Sequence, residues 1–118
     1  MNIKIKNHLL LYKDYKLKCS IGKSGITNKK KEGDLATPKG NFKIGILYYR
    51  KDRVKNFKCK IKKKIIKKNM GWCDDIRSNQ YNREIIFPFK YKAEKLYRKS
   101  KIYDLFINIK YNYKPTIK

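Results

Sequence analysis

Asn41-Phe42-Lys43-Ile44-Gly45-Ile46-Leu47-Tyr48-Tyr49 decides the fold class of this chain. Phe42, Ile44 and Ile46 occupy alternate positions, and side chains of an extended strand point to opposite faces with a period of two. Isoleucine, tyrosine and phenylalanine also suit a pleated, half-buried surface. The same signal recurs outward from here. Lys4 separates Ile3 from Ile5; Leu17, Cys19 and Ile21 alternate, as do Phe57, Cys59 and Ile61; Ile65-Ile66 follows a lysine cluster. A short strand is predicted over 84–87, stopped by Pro88, and the dense run over 102–109 reads as an interior strand. Residues 22–38, rich in glycine and charge, read as a surface loop, and 71–82 as a long ordered loop. Residues 91–99 are predicted as the single short helix, with Ala93, Leu96 and Tyr97 on its apolar side. Short strands with one small helix make a mainly β domain.

Composition bounds the rest. A chain of 118 residues with 41% hydrophobic content supports one modest core, so a single domain is expected over 1–118. No stretch approaches the ~18 apolar residues of a membrane-spanning helix. The cluster His8-Leu9-Leu10-Leu11-Tyr12 is too short for a signal-peptide core, and no signal peptide is visible. The net charge of +24 favours non-specific polyanion binding, whether to nucleic acid, anionic lipid or a wall polymer. Lysine far outnumbers arginine, however, alongside isoleucine, asparagine and tyrosine. Those residues share A/T-rich codons, so genome bias also explains the lysine content. Cys19, Cys59 and Cys73 are odd in number and widely spaced, and His8 is the sole histidine. No metal site, cofactor or disulfide framework is expected from them, and they read as small buried hydrophobes.

Four stretches carry a more specific signal. Gly33-Asp34-Leu35-Ala36-Thr37-Pro38-Lys39-Gly40-Asn41-Phe42 resembles the G-D-x-A-T-P-x-G-x-F stretch of YkuD-like L,D-transpeptidase domains. Tyr49-Arg50-Lys51-Asp52-Arg53 is similar to that family's Y-R-x-D-R. Gly71-Trp72-Cys73-Asp74-Asp75 with Tyr81-Asn82-Arg83 resembles G-W-C-D-D followed by Y-N-R. Tyr103-Asp104 and Tyr111-Asn112 resemble its Y-D…Y-N segment. The four occur in the family's order over nearly the whole chain. Each also has a local reading. Thr37-Pro38 before Gly40 suits a turn, since proline presets φ and glycine permits a positive one. Trp72 beside Asp74 and Asp75 forms either a substrate wall whose carboxylates bind an amine, or an aromatic anchor whose acids cap loop amides and pair with lysines. Tyr81-Asn82 and Tyr111-Asn112 are either ligand contacts or loop clasps.

The resemblance implies a β-sandwich-like acyltransferase domain acting on peptidoglycan stem peptides, in the cell wall or periplasm. Its substrate-facing residues would be Trp72, Asp74, Asp75, Tyr81 and Asn82. In that family a cysteine thiolate attacks a stem-peptide carbonyl and an acceptor amine resolves the acyl-enzyme. The histidine and the S-x-G-C loop responsible lie downstream of the Y-N turn. No histidine follows His8 here and no S-x-G-C occurs. No catalytic residue is therefore carried over, and the chain is expected to be a partial domain, an incomplete sandwich inactive by itself. Cys73 lies in the G-W-C-D-D stretch, where that family's nucleophile does not reside, and is not expected to replace it. The alternatives are a small basic nucleic-acid-binding protein, in which Tyr48, Tyr49, Phe57 and Tyr97 stack on bases, and a non-catalytic wall-associated relative.

Overall fold

A computed structural model describes residues 2–28 and 32–112. The lysine run 29–31 and the end of the expected terminal turn, 113–115, lie outside the described residues. The chain forms two compact units, Met1–Asn41 and Phe42–Lys118.

The first unit begins with three antiparallel strands in sequence order, β1 (Lys4–Lys6), β2 (Leu9–Tyr12) and β3 (Tyr15–Lys18). Asn7 and Lys13 turn the chain between them with φ of 55° and 51°. Ile5, Leu10 and Leu17 stand opposite one another and so share one face. Leu9, Leu10 and Leu11 form an unbroken apolar run without alternation, which hid β2 from a period-two reading. The expected loop that follows contains a short parallel pair, β4 (Ile26–Thr27) and β5 (Thr37–Pro38). Thr37 Oγ1 accepts the Gly22 N–H at 2.7 Å, closing the ends of the loop on each other. Thr37 and Pro38, expected in a turn, are strand residues, and of that turn only the positive φ of Gly40, 143°, is found.

Among the described residues, the second unit contains two sheets. In the first, β6 (Ile44–Tyr49) lies between β11 (Leu105–Ile109), antiparallel to it, and β7 (Lys63–Ile65), parallel to it. In the other, β8 (Met70–Cys73) lies between β10 (Ala93–Lys95) and β9 (Glu84–Ile86), antiparallel to both. Tyr48 stands opposite Phe106 in the register, and both face Trp72 of β8. The sheets thus share a core in which Tyr48, Ile66, Met70 and Leu96 are buried. The aromatic contacts are edge-on or tilted, at centroid distances of 5.4 Å for Tyr48–Phe106 and 5.6 Å for Trp72–Phe106. Each such pair adds about 0.5–1.5 kcal/mol beyond its buried area. The β6–β11 ladder is irregular after Ile107. There the Ile46 N–H bonds to Asn108 Oδ1 at 2.6 Å, and a Cβ at Gly45 would strike that same side chain. Glycine makes room for the side chain that replaces a ladder bond.

The mainly β expectation agrees with this architecture, and among the described residues there is no helix. Residues 91–99 are the exception to the sequence reading. Ala93, Glu94 and Lys95 pair with Cys73, Trp72 and Gly71, and the Leu96 N–H bonds to the Met70 carbonyl at 3.1 Å. The helical spacing of Ala93, Leu96 and Tyr97 came from a three-residue strand followed by a bend that drops Leu96 into the core. Sheet pairing overrides the local preference of such a short segment. Residues 70–73, expected mostly as loop, form a central strand. Met70, Gly71 and Cys73 are buried, and a strand covered on both faces shows no alternation. A Cβ at Gly71 would meet the Phe87 ring at 2.5 Å and the Glu94 carbonyl at 2.8 Å, so only glycine fits there. Finally, β11 was expected as an interior strand, and among the described residues it lies at the edge of its sheet. Leu105, Ile107 and Ile109 remain 52%, 42% and 44% exposed. A dense apolar run specifies a strand, but not how many neighbours it has.

Candidate functional site

Trp72 occupies the middle of β8, with Glu94 of β10 and Glu84 of β9 on either side in the register. Its indole N–H donates to Asn82 Oδ1 at 3.1 Å. The Asn82 amide nitrogen in turn donates to the carbonyls of Tyr111, at 3.2 Å, and Asn112, at 2.8 Å. Asn82 and Asn112 have φ of 59° and 52°, a left-handed conformation that asparagine tolerates better than most residues. Tyr111 packs edge-on against Phe42 with centroids 5.1 Å apart. Trp72 and Asn82 are thus joined in a clasp that holds the 111–112 turn. Beside them, Tyr48 donates its hydroxyl to Glu84 Oε1 at 2.9 Å. Burial first, and then this bond, push that phenol well above its ordinary range, so it remains a donor.

Asp75 is buried and fully engaged. Its Oδ1 accepts from the Arg77 backbone N–H and Nε, both at 3.0 Å. Its Oδ2 accepts from Arg77 Nη2 at 2.7 Å and from the Lys92 N–H at 3.0 Å. The Arg77 guanidinium, then the two backbone amides, hold this carboxyl well below the usual carboxylate range. Tyr81 is also buried, and its N–H donates to the Ser78 carbonyl at 3.2 Å. Both residues hold the 75–82 loop in shape.

Asp74 is placed differently. Its Oδ2 lies 3.8 Å from Lys92 Nζ, and its Oδ1 is buried with no hydrogen-bond partner among the described residues. Of the five residues singled out in the sequence, it alone lines a cleft of about 740 Å³ whose other walls come from Arg50, Arg53, the 92–95 stretch and the 97–99 stretch. The floor of this cleft is built from Arg50, which sequence reasoning quoted within a motif without assigning it a role. Arg50 is 3% exposed, grips both oxygens of Asp52 at 2.8 and 2.7 Å, and donates to the Arg98 carbonyl at 2.7 Å. Its guanidinium lies 3.6 Å from the centroid of the Tyr97 ring. Arg53 ties down the far wall through the carbonyls of Lys99 and Ser100 and through Asp104 Oδ1. The spacing of Y-R-x-D-R brought these arginines to notice, but their partners at 97–104 lie about fifty positions away and left no local signature.

The cleft therefore has an immobilised arginine floor and a rim of mixed sign. Asp74 offers a carboxylate, while Lys92, Lys95 and Lys99 offer ammonium groups on flexible stems. Such a rim suits a ligand bearing both amine and carboxylate groups. Cys73 does not contribute. It is 1% exposed, and its Sγ lies 3.8 Å from the Asp75 carbonyl oxygen. Among the described residues no group of three or more His, Cys, Asp or Glu is placed to hold a metal ion. No helix among them is long and apolar enough to cross a membrane.

The site belongs to a unit whose described residues form two three-stranded sheets and no helix, with a cleft alongside β10. Comparison with protein-family models, with curated proteins and with solved structures gives no match for the chain.

Proposed function

We propose that this chain is built on an L,D-transpeptidase-type scaffold and binds peptidoglycan stem peptides in the Asp74 cleft. One observation carries the reading: in the second unit, the residues that bear the resemblance hold one another in place. Trp72 bonds Asn82, Asn82 bonds the carbonyls of Tyr111 and Asn112, and Tyr111 packs on Phe42. The Cys73 N–H donates to the Arg83 carbonyl at 2.9 Å, and the Arg50 N–H to that of Asp104 at 3.0 Å. Arg53 reaches the Asp104 side chain at 3.0 Å. Motif residues scattered between 42 and 112 thus form interlocking contacts, as expected if they specify a common scaffold. The mixed-sign rim supports the ligand class, since a stem peptide carries carboxylates together with a free amine.

The role assigned here is binding and orientation. Asp74 would take the stem's ammonium, and Lys92, Lys95 and Lys99 its carboxylates. The acyl-transfer step is assigned to none of the described residues, because the buried Cys73 is not presented to a substrate.

Titrating isotope-labelled protein with a synthetic stem tetrapeptide, followed by amide NMR, tests this reading. Shifts should concentrate at Asp74, Lys92, Lys95, Tyr97 and Lys99. Asp74→Asn should weaken binding about tenfold, the loss of one charge-assisted hydrogen bond. No perturbation at millimolar peptide, or shifts scattered without regard to the cleft, would reject it.

A further inference from the structure

The cations of the second unit are divided in an informative way. Its arginines are largely engaged: Arg50 with Asp52, Arg53 with Asp104, Arg77 with Asp75 and Arg98 with Glu94. The lysines of residues 55–68 are not. From 53 to 73 the chain contains neither aspartate nor glutamate. Lys58, Lys60, Lys62, Lys63, Lys67 and Lys68 are all exposed, as are Lys55 and Lys64. Among the described residues, Lys64 with Glu84 is the one ion pair this segment makes.

The arrangement is also directional. Phe57, Cys59 and Ile61 are half-buried, while Lys58, Lys60 and Lys62 between them are exposed. The apolar positions anchor the chain and the lysines face water. The segment then continues into β7, an edge of its sheet. Phe57 is occupied, edge-on to Tyr49 at 5.1 Å and with Lys63 Nζ 5.1 Å from its ring centroid. Both contacts compete with a base for this ring. Bidentate reading of base edges calls for an unengaged guanidinium, and the adjoining Arg53 is committed to Asp104 and two carbonyls.

We infer that residues 55–68 form a binding strip for the phosphodiester backbone of an extended polyanion, gripped without reading bases. Compact ammonium groups on flexible stems, in a segment that contains no acid and meets a single carboxylate, Glu84, among the described residues, match a chain of regularly spaced phosphates. This inference stands apart from the stem-peptide reading, because it uses none of the cleft residues.

The test measures affinity across a salt series for two probes of equal phosphate number, an oligothymidylate and a base-free poly(glycerol phosphate). With seven lysines of the strip free of Glu84, log K against log salt should have a slope of about −5 for either probe. The triple variant Lys58→Gln/Lys60→Gln/Lys62→Gln should reduce its magnitude by about 2. The control Lys4→Gln/Lys6→Gln/Lys16→Gln, on the exposed strands β1 and β3, removes the same charge and should leave the slope unchanged. Thermal melts establish that both triples fold. Equal losses in the two triples would mean diffuse attraction to net charge and would overturn the strip. Binding of the oligothymidylate alone would overturn recognition through phosphates.

Discussion

Arg77 and Lys60 sit in regions that use positive charge in opposite ways. In the loop after β8, Asp75 gathers the Arg77 guanidinium and two backbone amides, and the cation becomes part of the architecture. Along 55–68 no carboxylate is supplied by the segment itself, and its lysines remain exposed. A protein of net charge +24 has few acids to distribute, and where each one falls decides which cations are held in place. Arg77 stays exposed while Asp75 fixes its guanidinium, and Arg50 is buried as well as paired. Burying a charge is costly unless it is paired and hydrogen-bonded. Arg50 satisfies that condition through Asp52, the Arg98 carbonyl and Tyr97. The exposed lysines never incur the cost.

Four measurements probe the contrast between engaged and exposed charge. The largest effect belongs to the core beneath the engaged region. Leu96→Ala, at a residue 1% exposed, should lower the unfolding free energy by about 2–5 kcal/mol in chemical denaturation. A loss below about 1 kcal/mol would mean that the two sheets do not share a core there.

Asn82→Ala removes three side-chain hydrogen bonds and places alanine at a positive φ. Its expected cost is about 1–3 kcal/mol. Trp72 is the sole tryptophan, so its emission reports the clasp directly and should shift to the red in the folded variant. Unchanged emission would separate Trp72 from the 111–112 turn.

Acid titration examines Asp75 next. Its folded pKa lies below the unfolded value, so its stabilisation is fully present above the ordinary aspartate range and is lost as pH falls toward the folded value. Melting temperature should be insensitive to this residue from pH 7 to about 5 and fall below about pH 4. Asp75→Asn should be less stable at neutral pH and should show a shallower acid limb. An identical acid limb would leave the Arg77 pairing without thermodynamic weight.

The smallest effect is expected in the lysine segment. Lys60→Gln or Lys62→Gln should change stability by no more than about 0.5 kcal/mol, as for surface substitutions generally. A larger loss would show that these side chains serve the fold after all.

Much of the strand content was legible locally. Ile44 and Ile46 declared β6 by alternation, although Phe42 precedes the strand, and β9 and β11 fall inside the stretches 84–87 and 102–109 marked by composition and by Pro88. Strand β8 left no trace of that kind, because its two covered faces abolish alternation. Strand β10 carried helix-like spacing over a segment too short to express any period. Within the site, Trp72, Asp74, Asp75, Tyr81 and Asn82 were visible as a cluster of aromatic, acidic and amide residues. Their division between the clasp, the loop and the cleft was not, because it depends on Lys92, Tyr97 and Tyr111, which are distant in sequence.

By itself, the sequence determined the mainly β class, the excess of positive charge and the acid-free stretch, since these are properties of composition and nearest neighbours. Only long-range pairing placed β8 at the centre of its sheet and β11, among the described residues, at an edge. The tertiary structure likewise enclosed Asp75 while Asp74 opens on a cleft. It engaged Arg50, Arg53, Arg77 and Arg98, while Lys64 is the one lysine of 55–68 in an ion pair among the described residues. Strand partners and ion pairs form between residues far apart in the chain. Their selection is governed by which combination buries the apolar faces while leaving few polar groups unsatisfied, a condition on the whole fold that no local window contains.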